Sequence, residues 1–298
     1  MKSVLVVALL AAAVSINACG ASRQSGICGT LSPDGSVSGD AKELESQGDA
    51  AWAQRGDEAQ LRAAIDAWKR SLALDPNNSA LRVRLAQAYY FLADGHLRFD
   101  DSKQDEMLQS FRDGTNAAEV ALGQQYPKFK AKFCSRQPFE TALQQLDKGA
   151  IPAMYWYATN LGKYALATSI VEVLNQKDRI KALMDLVKEL DASFSYWAAD
   201  RYFGAFFTKI PFPNGDLPLS AKHFQASIQN APEYLATKVL YAELNALKAG
   251  DRATFERLLK EVIEADVTAT PALEPENRVE QRKAKLLLDE IDVYFPEG

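Results

Sequence analysis

Aromatic side chains that share a helix face with a polar or basic side chain are the residues of this sequence best suited to chemistry. Trp156, Asn160 and Lys163 lie at helical spacing, opposite an apolar stripe, on a helix predicted over 154–167. Their chemistry would be binding, because an indole covers an apolar body and an ammonium group holds a carboxylate. The alternative is that Trp156 packs against a neighbouring helical hairpin.

Two further groups combine aromatic and basic side chains. Trp197 and Arg201 are one helical turn apart, a spacing that predicts a cation–π pair, and Tyr202 follows them. Arg201 is therefore a second residue that would hold a carboxylate. Lys238 and Tyr241 belong to a third group at helical spacing, for which a solvated surface is the alternative.

Catalytic motifs are missing from the sequence. The two histidines, His96 and His223, have no nucleophile or carboxylate at motif spacing, and no glycine-rich phosphate loop occurs. The three cysteines form no Cys-x-x-Cys pair, and the formal charge of −5 does not suit nucleic acid. We therefore expect a binding protein rather than an enzyme, with no catalytic residue, no cofactor and no metal.

A spacing of small and aromatic residues indicates which elements position these side chains. Ala64, Trp68, Ser71 and Pro76 follow the second half of a tetratricopeptide repeat (TPR), in which small residues let two helices approach and an aromatic ring fills the gap. The pattern returns at Ser220, Phe224, Ser227 and Pro232. The sequence predicts an all-α fold of stacked antiparallel helical hairpins, a degenerate TPR-like solenoid, closed by a charged C-terminal helix over 276–294.

The N-terminal residues predict export. Residues 1–18 have the charged start and short apolar run of a signal peptide, and Cys19 directly after them predicts a lipidated N-terminus, with ordinary secretion as the alternative. We expect a flexible tether over 19–40 and a TPR-like helical domain over 41–298. Cys28 and Cys134 are the remaining cysteines, so one disulfide or two free thiols are both open.

Three segments resemble the TatT family, the T components of tripartite ATP-independent periplasmic (TRAP) transporters: YWYATNLGK at 155–163, RYFGAF at 201–206 and YLATKVLYAE at 234–243. The resemblance implies a periplasmic, TPR-like lipoprotein that binds the solute-binding P component and delivers an apolar or carboxylate-bearing ligand. Gly20, the residue after Cys19, is not the aspartate typical of inner-membrane lipoproteins, which favours an anchor in the outer membrane. Association between copies stays open. The alternative function is a general TPR scaffold for protein–protein interaction in envelope or pilus assembly.

Overall fold

The computed structural model describes residues 26–296 except Phe212 and Asn214. The predicted signal peptide 1–18 and Cys19 lie outside the described residues. The described chain is helical and contains no β-strand, so the all-α prediction is confirmed. None of its helices has the length and apolar character needed to cross a bilayer. The α-helices are α1 (Ala41–Trp52), α2 (Glu58–Leu74), α3 (Ser79–Phe91), α4 (Gln104–Gln125), α5 (Pro127–Cys134), α6 (Phe139–Leu143), α7 (Ile151–Thr168), α8 (Ile170–Leu190), α9 (Phe194–Lys209), α10 (Leu217–Asn230), α11 (Ala236–Leu240), α12 (Leu247–Ala249), α13 (Arg252–Glu264), α14 (Glu274–Asp289) and α15 (Ile291–Tyr294).

The first hairpin, α1 and α2, is built on the predicted spacing. Trp68 is fully buried and lies so close to Gly48 of α1 that a Cβ there would fall 2.3 Å from the indole. The Ser71 hydroxyl donates to the carbonyl oxygen of Ala41 over 2.8 Å, which joins the end of α2 to the start of α1. Asp57 accepts from the first backbone N–H groups of α2 and fixes where that helix begins.

The hairpin of α9 and α10 repeats this packing. Phe224 is fully buried against Gly204, where a Cβ would lie 2.7 Å from the phenyl ring. The Ser220 hydroxyl donates to the Gly204 carbonyl over 2.6 Å, and the Ser227 hydroxyl donates to the Tyr196 carbonyl over 3.5 Å. The same small–aromatic–small spacing therefore brings two helices into close contact at both places where the sequence carries it.

The middle of the molecule consists of α3, α4, α7 and α8, each packed against the next. The Ser110 hydroxyl of α4 donates to the Tyr89 carbonyl of α3 over 2.8 Å. Gly114 of α4 leaves room for Asn160 of α7, whose amide donates to the Ala86 carbonyl of α3 over 3.1 Å. Asn160 thus ties three helices together from a buried position.

Three local irregularities interrupt this regular packing. Leu92–His96 continues α3 as a π-helical turn, and Tyr241–Ala246 does the same after α11. Ser195, Tyr196 and Trp197 have φ between 49° and 59°, so α9 starts with a left-handed turn formed by three residues other than glycine. Such conformations cost free energy, and π-turns and strained backbone occur often at functional sites.

The C-terminal helix α14 lies against the N-terminal hairpins. Arg55 forms an ion pair with Glu276 at 2.7 Å, and the guanidinium of Arg282 lies 3.8 Å from the centre of the Phe99 ring. Val279 packs on the apolar cluster of α2 and α3. The predicted closure by a charged helix is present, but part of its polar face points inward, since Glu280 and Lys283 are each 7% exposed.

The described part of the predicted tether is attached to the helical body. Ile27 is buried next to Gly123 of α4, and Cys28 forms a disulfide with Cys134 of α5, with the two Cα atoms 5.7 Å apart. The Asp34 N–H donates to the Ala73 carbonyl over 2.8 Å. An apolar contact, a covalent bond and a backbone hydrogen bond therefore hold residues 27, 28 and 34 on the helical body. In the chain-entropy model a crosslink that closes a loop of this length contributes about 4 to 5 kcal/mol.

Candidate ligand-binding cavity

A cavity of about 480 Å³ lies between α4, α7, α8, α9, α11 and the two π-helical turns. Its volume is in the range of small-molecule sites. Much of its wall is apolar and comes from facing helices, so a ligand body would be surrounded by hydrocarbon and aromatic surface. The larger apolar residues of the wall are Met107, Phe111, Leu166, Val173, Ile180, Met184, Phe206, Ile210, Leu240 and Leu244.

The irregular segments supply part of the polar wall, together with Lys163 of α7 and Lys177 of α8. The first π-helical turn contributes Asp94, and the second contributes Glu243. A π-turn inserts an extra residue into a helix, which rotates the following side chains relative to a regular helix. Arg201 enters the wall four residues after the left-handed turn ends. The two π-helical turns and the segment after the left-handed turn thus meet at one cavity.

Asp94 is the centre of an ion cluster at one side of the cavity. Its Oδ1 lies 2.7 Å from Nζ of Lys163 on α7 and 3.2 Å from Nη1 of Arg98. Its Oδ2 lies 2.6 Å from Nζ of Lys283 on α14, which also contacts Glu280 at 2.7 Å. One buried carboxylate therefore joins α7, the end of α3 and the C-terminal helix.

The ionisation of this cluster is fixed by its geometry. Burial alone would raise the pKa of Asp94, but Lys163, Lys283 and Arg98 outweigh that cost and hold the pKa well below its usual range. Burial would lower the pKa of Lys283, yet Asp94 and Glu280 raise it above its usual value. Both groups stay charged at neutral pH, and their charges compensate each other.

Arg201 is the centre of a second polar cluster, which is built differently. Its Nη1 donates to the Tyr196 carbonyl over 3.0 Å, and its Nη2 donates to the Ser195 carbonyl over 3.3 Å and to the Tyr155 hydroxyl over 3.2 Å. The guanidinium carbon lies 4.2 Å from the centre of the Tyr234 ring. Among the described residues no carboxylate lies within ion-pair distance of Arg201.

Two tyrosines near Arg201, Tyr90 and Tyr234, are protonated. Burial raises the pKa of Tyr90 well above its ordinary value, and the nearby Asp94 charge adds to that effect. Burial also raises the pKa of Tyr234 by more than Arg201 lowers it. Both phenols therefore present O–H groups rather than phenolates. The Tyr90 hydroxyl donates to Oδ2 of Asp94 over 3.4 Å, and the Tyr234 hydroxyl can donate a hydrogen bond into the cavity.

Exposed apolar side chains surround the turn between α7 and α8. Leu166, Ile170, Val171 and Leu174 are each more than 40% exposed, and we call them the α7–α8 patch. Leu166 itself lines the cavity, and Val173 of the same stretch does so too. The patch is therefore continuous with the cavity wall, which places an apolar surface at the cavity mouth.

The structure brings three of the predicted site residues to the cavity. Lys163, Arg201 and Tyr202 lie in its wall, although Lys163 is bound to Asp94. Trp156 does not line the cavity: it is half-buried between Tyr90 and Tyr155, with ring centres 5.4 and 4.8 Å away. The packing alternative for Trp156 therefore describes its position.

Four other predicted residues lie away from the cavity. Asn160 is buried between helices, and Trp197 belongs to the left-handed turn, so the predicted Trp197–Arg201 stack is replaced by an Arg201–Tyr234 contact. Lys238 pairs with Glu261 at 2.9 Å, and Tyr241 is buried against Phe224 with ring centres 5.3 Å apart. Regular helical spacing fails for the Trp197–Arg201 pair because Trp197 lies in the left-handed turn.

Sequence reasoning missed Asp94 and Tyr155 as site residues. Asp94 and Gly95 follow an apolar helix and lie inside a π-turn, with Asp94 almost fully buried. An Asp-Gly pair within an otherwise apolar stretch was the available signal. Tyr155 had none. Tyr234 belongs to the third group, with Lys238 and Tyr241, and of these three residues it alone lines the cavity.

Among the described residues, 26–296 without Phe212 and Asn214, no three or more potential metal ligands lie together. His223 contacts Asp200 through Nδ1 at 2.7 Å, and its ring stacks on Phe207 at 5.6 Å between centres. Asp200 also binds Lys188 at 2.7 Å. The imidazole is thus held by a buried carboxylate and an aromatic ring within the packed body.

Comparison with known proteins gives one family. No curated protein matches the chain. The family described as TRAP transporter T-component matches residues 71–295, about three quarters of the chain, including the whole described cavity wall. A match of that extent, together with an all-helical structure, shows that this chain belongs to the TRAP transporter T-component family.

Proposed function

We propose that this protein is the periplasmic T component of a TRAP transport system, which docks the solute-binding P component and holds a ligand with an apolar body in its cavity. Family membership supports the role in transport. The stacked hairpins, in which Trp68 and Phe224 fill equivalent gaps, support a degenerate TPR-like scaffold. The cavity between those hairpins supports the ligand role.

One observation carries the docking part of the proposal: the α7–α8 patch is exposed and continuous with the cavity wall. Ile170 and Val171 are 58% and 62% exposed, which is unusual for neighbouring aliphatic residues on a helix. A P component bound over this patch would bury apolar surface and cover the cavity mouth. An apolar ligand could then move between the two proteins without crossing water.

A matched pair of substitutions tests the docking surface. Val171→Glu places a charge in the patch, and Val293→Glu makes the same change at an exposed valine on the C-terminal helix α15. Binding to the P component of the TRAP system in the same cell is measured by isothermal titration calorimetry. We expect Val171→Glu to weaken binding by about tenfold or more, because a charge would be desolvated, and Val293→Glu to leave it unchanged. Equal affinity of both variants and the unchanged protein would reject this docking surface.

We also propose that lipid on Cys19 anchors the protein to a membrane, with the outer membrane preferred. The support is the sequence around that cysteine. Intact mass and detergent partitioning of the protein from its native host test the anchor. A Cys19→Ser variant should lose the acyl mass and leave the detergent phase, and partitioning like the unchanged protein would contradict it.

A further inference from the structure

Arg201 is a buried cation whose charge the described protein does not neutralise. The residue is only 6% exposed and lies in the cavity wall. The buried or half-buried cations around Asp94 all contact a carboxylate, whereas Arg201 contacts two backbone carbonyls, a phenol and an aromatic ring. A guanidinium remains protonated in proteins, so burying it without an anion is costly. That cost is recovered when an anion binds beside it.

The position of Arg201 is fixed by backbone in an uncommon conformation. The left-handed turn at Ser195–Trp197 directs the carbonyls of Ser195 and Tyr196 at the guanidinium. Left-handed φ at three successive residues with side chains is unfavourable and persists only where the surroundings hold it. The turn thus orients Arg201 before any ligand arrives, which lowers the entropic cost of binding.

Hydrogen-bond donors remain at this position. Three of the N–H bonds of Arg201 are used by described residues, and a guanidinium has five. The Tyr155 hydroxyl accepts a hydrogen bond from Arg201, so its own hydrogen is available as a donor. The Tyr234 hydroxyl makes no hydrogen bond to another described residue, and Tyr234 lines the same wall. These donors match a group with two acceptor oxygens.

We propose that Arg201, Tyr155 and Tyr234 form the subsite for the acid group of an amphiphilic monocarboxylate. This inference rests on the proposed function in one respect, namely that the cavity holds a ligand. It assigns the acid group to Arg201 and not to Lys163, because the Lys163 ammonium is already paired with Asp94 at 2.7 Å. An anion at Lys163 would compete with a buried carboxylate.

The apolar body of such a ligand would lie along α9. Tyr202, Ala205 and Phe206 follow Arg201 on this helix, Ile210 comes directly after its last residue, and all four line the cavity. The nine steps from Arg201 to Ile210 span about 14 Å at the rise of an α-helix. An extended decanoate molecule has a similar length. Decanoate and decan-1-ol, which share the alkyl chain and differ in the charged group, are therefore suitable probes.

The test measures affinity of the full chain for both probes by isothermal titration calorimetry at pH 7. The unchanged protein should bind decanoate more tightly than decan-1-ol. Arg201→Met should weaken decanoate binding by about tenfold or more, the amount expected for a charge-assisted hydrogen bond, and leave decan-1-ol binding nearly unchanged. Lys222→Met is the matched control, since Lys222 is an exposed cation on α10 that does not line the cavity, and it should change neither affinity by more than about twofold.

The outcomes separate this inference from the proposed function. Equal binding of the two probes, or an unchanged decanoate affinity of Arg201→Met, would overturn the acid subsite while the apolar cavity stands. Failure of both probes to bind the unchanged protein would overturn the ligand role of the cavity, and the subsite with it. A loss of decanoate affinity as large in Lys222→Met as in Arg201→Met would also overturn the assignment, because it would show a general charge effect.

A second measurement needs no variant. Decanoate labelled with ¹³C at the carboxyl carbon reports its own titration by NMR when it is bound to the unchanged protein. A carboxylate beside Arg201 should titrate at lower pH than free decanoate, because the cation favours the charged form. Titration at the same pH as free decanoate, or at a higher pH, would contradict the subsite even if Arg201→Met failed to fold.

Discussion

The cavity wall has two charged regions that balance charge in opposite ways. At Asp94, one buried carboxylate is shared by Lys163, Arg98 and Lys283, so residues of the protein itself neutralise its charge. At Arg201, a buried guanidinium contacts carbonyls and phenols but no described carboxylate. Both regions lie in low-dielectric surroundings, yet only the first is electrostatically complete.

The difference indicates separate roles for the two regions. The Asp94 cluster connects residues up to 189 positions apart in the chain and holds the C-terminal helix against the body. Removing Asp94 would leave Lys163 without a carboxylate partner. Arg201 makes its contacts within a few residues of itself, apart from Tyr155 and Tyr234. We therefore expect the first region to control stability and the second to control binding.

The largest expected effect is the loss of the Asp94 carboxylate. Asp94→Ala should lower the free energy of unfolding by about 3 to 5 kcal/mol, because it leaves the Lys163 ammonium without a carboxylate and the buried Lys283 ammonium with Glu280 alone. Urea denaturation followed by circular dichroism measures this change. Asp185→Ala is the control, since Asp185 forms an exposed pair with Lys181, and it should cost less than about 1 kcal/mol. A loss below 1 kcal/mol for Asp94→Ala would remove the stability role of the cluster.

The next effect concerns Trp156, which packs between Tyr90, near Asp94, and Tyr155, near Arg201. Trp156→Ala should cost about 3 kcal/mol, the lower end of the range for a buried tryptophan, because the ring is half-buried. Once the variant is folded, its affinity for the P component should match that of the unchanged protein. Trp156→Phe keeps an aromatic ring and should lose less stability. Weak binding with unchanged stability would instead make Trp156 a binding residue.

A smaller effect should appear only in acid. The pKa of Asp94 is lower in the folded chain than the ordinary value of 3.8, so its charge stabilises the fold above that pH and the contribution is lost as pH falls further. The raised pKa of Lys283 keeps its contribution present until strongly alkaline pH. The stability difference between the unchanged protein and Asp94→Asn should thus be constant from about pH 5 to 9 and shrink below about pH 4. A difference that varies between pH 6 and 8 would contradict this assignment of charges.

The hairpins were predictable from sequence because their cause is local. Small residues and an aromatic ring at spacings of four and three define a helix face, and that face packs the same way at Trp68 and at Phe224. The all-α fold and the closing C-terminal helix follow from the same periodicity. The family resemblance, carried by three short segments, agrees with the family match over 71–295.

The site was only partly predictable because its causes are not local. Arg201 and Tyr202 were found from composition and spacing, but the partner of Arg201 is Tyr234 and not Trp197. Trp197 is the last of three left-handed residues and therefore lies outside the regular helical register. The turn contains no glycine from which the sequence could predict it. Likewise, the pairing of Asp94 with Lys283 depends on the path of the whole chain.

The smallest effect on stability is expected for Arg201 in the absence of ligand. Arg201→Met removes a buried charge, which is favourable, and leaves the Ser195 and Tyr196 carbonyls without their donor, which is unfavourable by about 1 to 3 kcal/mol. These terms oppose each other, so we expect a net loss of about 1 kcal/mol, measured by urea denaturation under the conditions used for Asp94→Ala.

The same measurement with saturating decanoate sharpens the comparison. Ligand that binds only the folded state adds about 2.7 kcal/mol at a hundredfold excess over its dissociation constant, so the unchanged protein should gain stability that Arg201→Met does not gain at the same concentration. Asp94→Ala, by contrast, should keep that gain wherever it remains folded, because the Arg201 subsite is intact. If Arg201→Met cost as much as Asp94→Ala without ligand, Arg201 would be a structural cation like Lys283. The absence of a carboxylate beside it would then be balanced by the carbonyls of the left-handed turn alone.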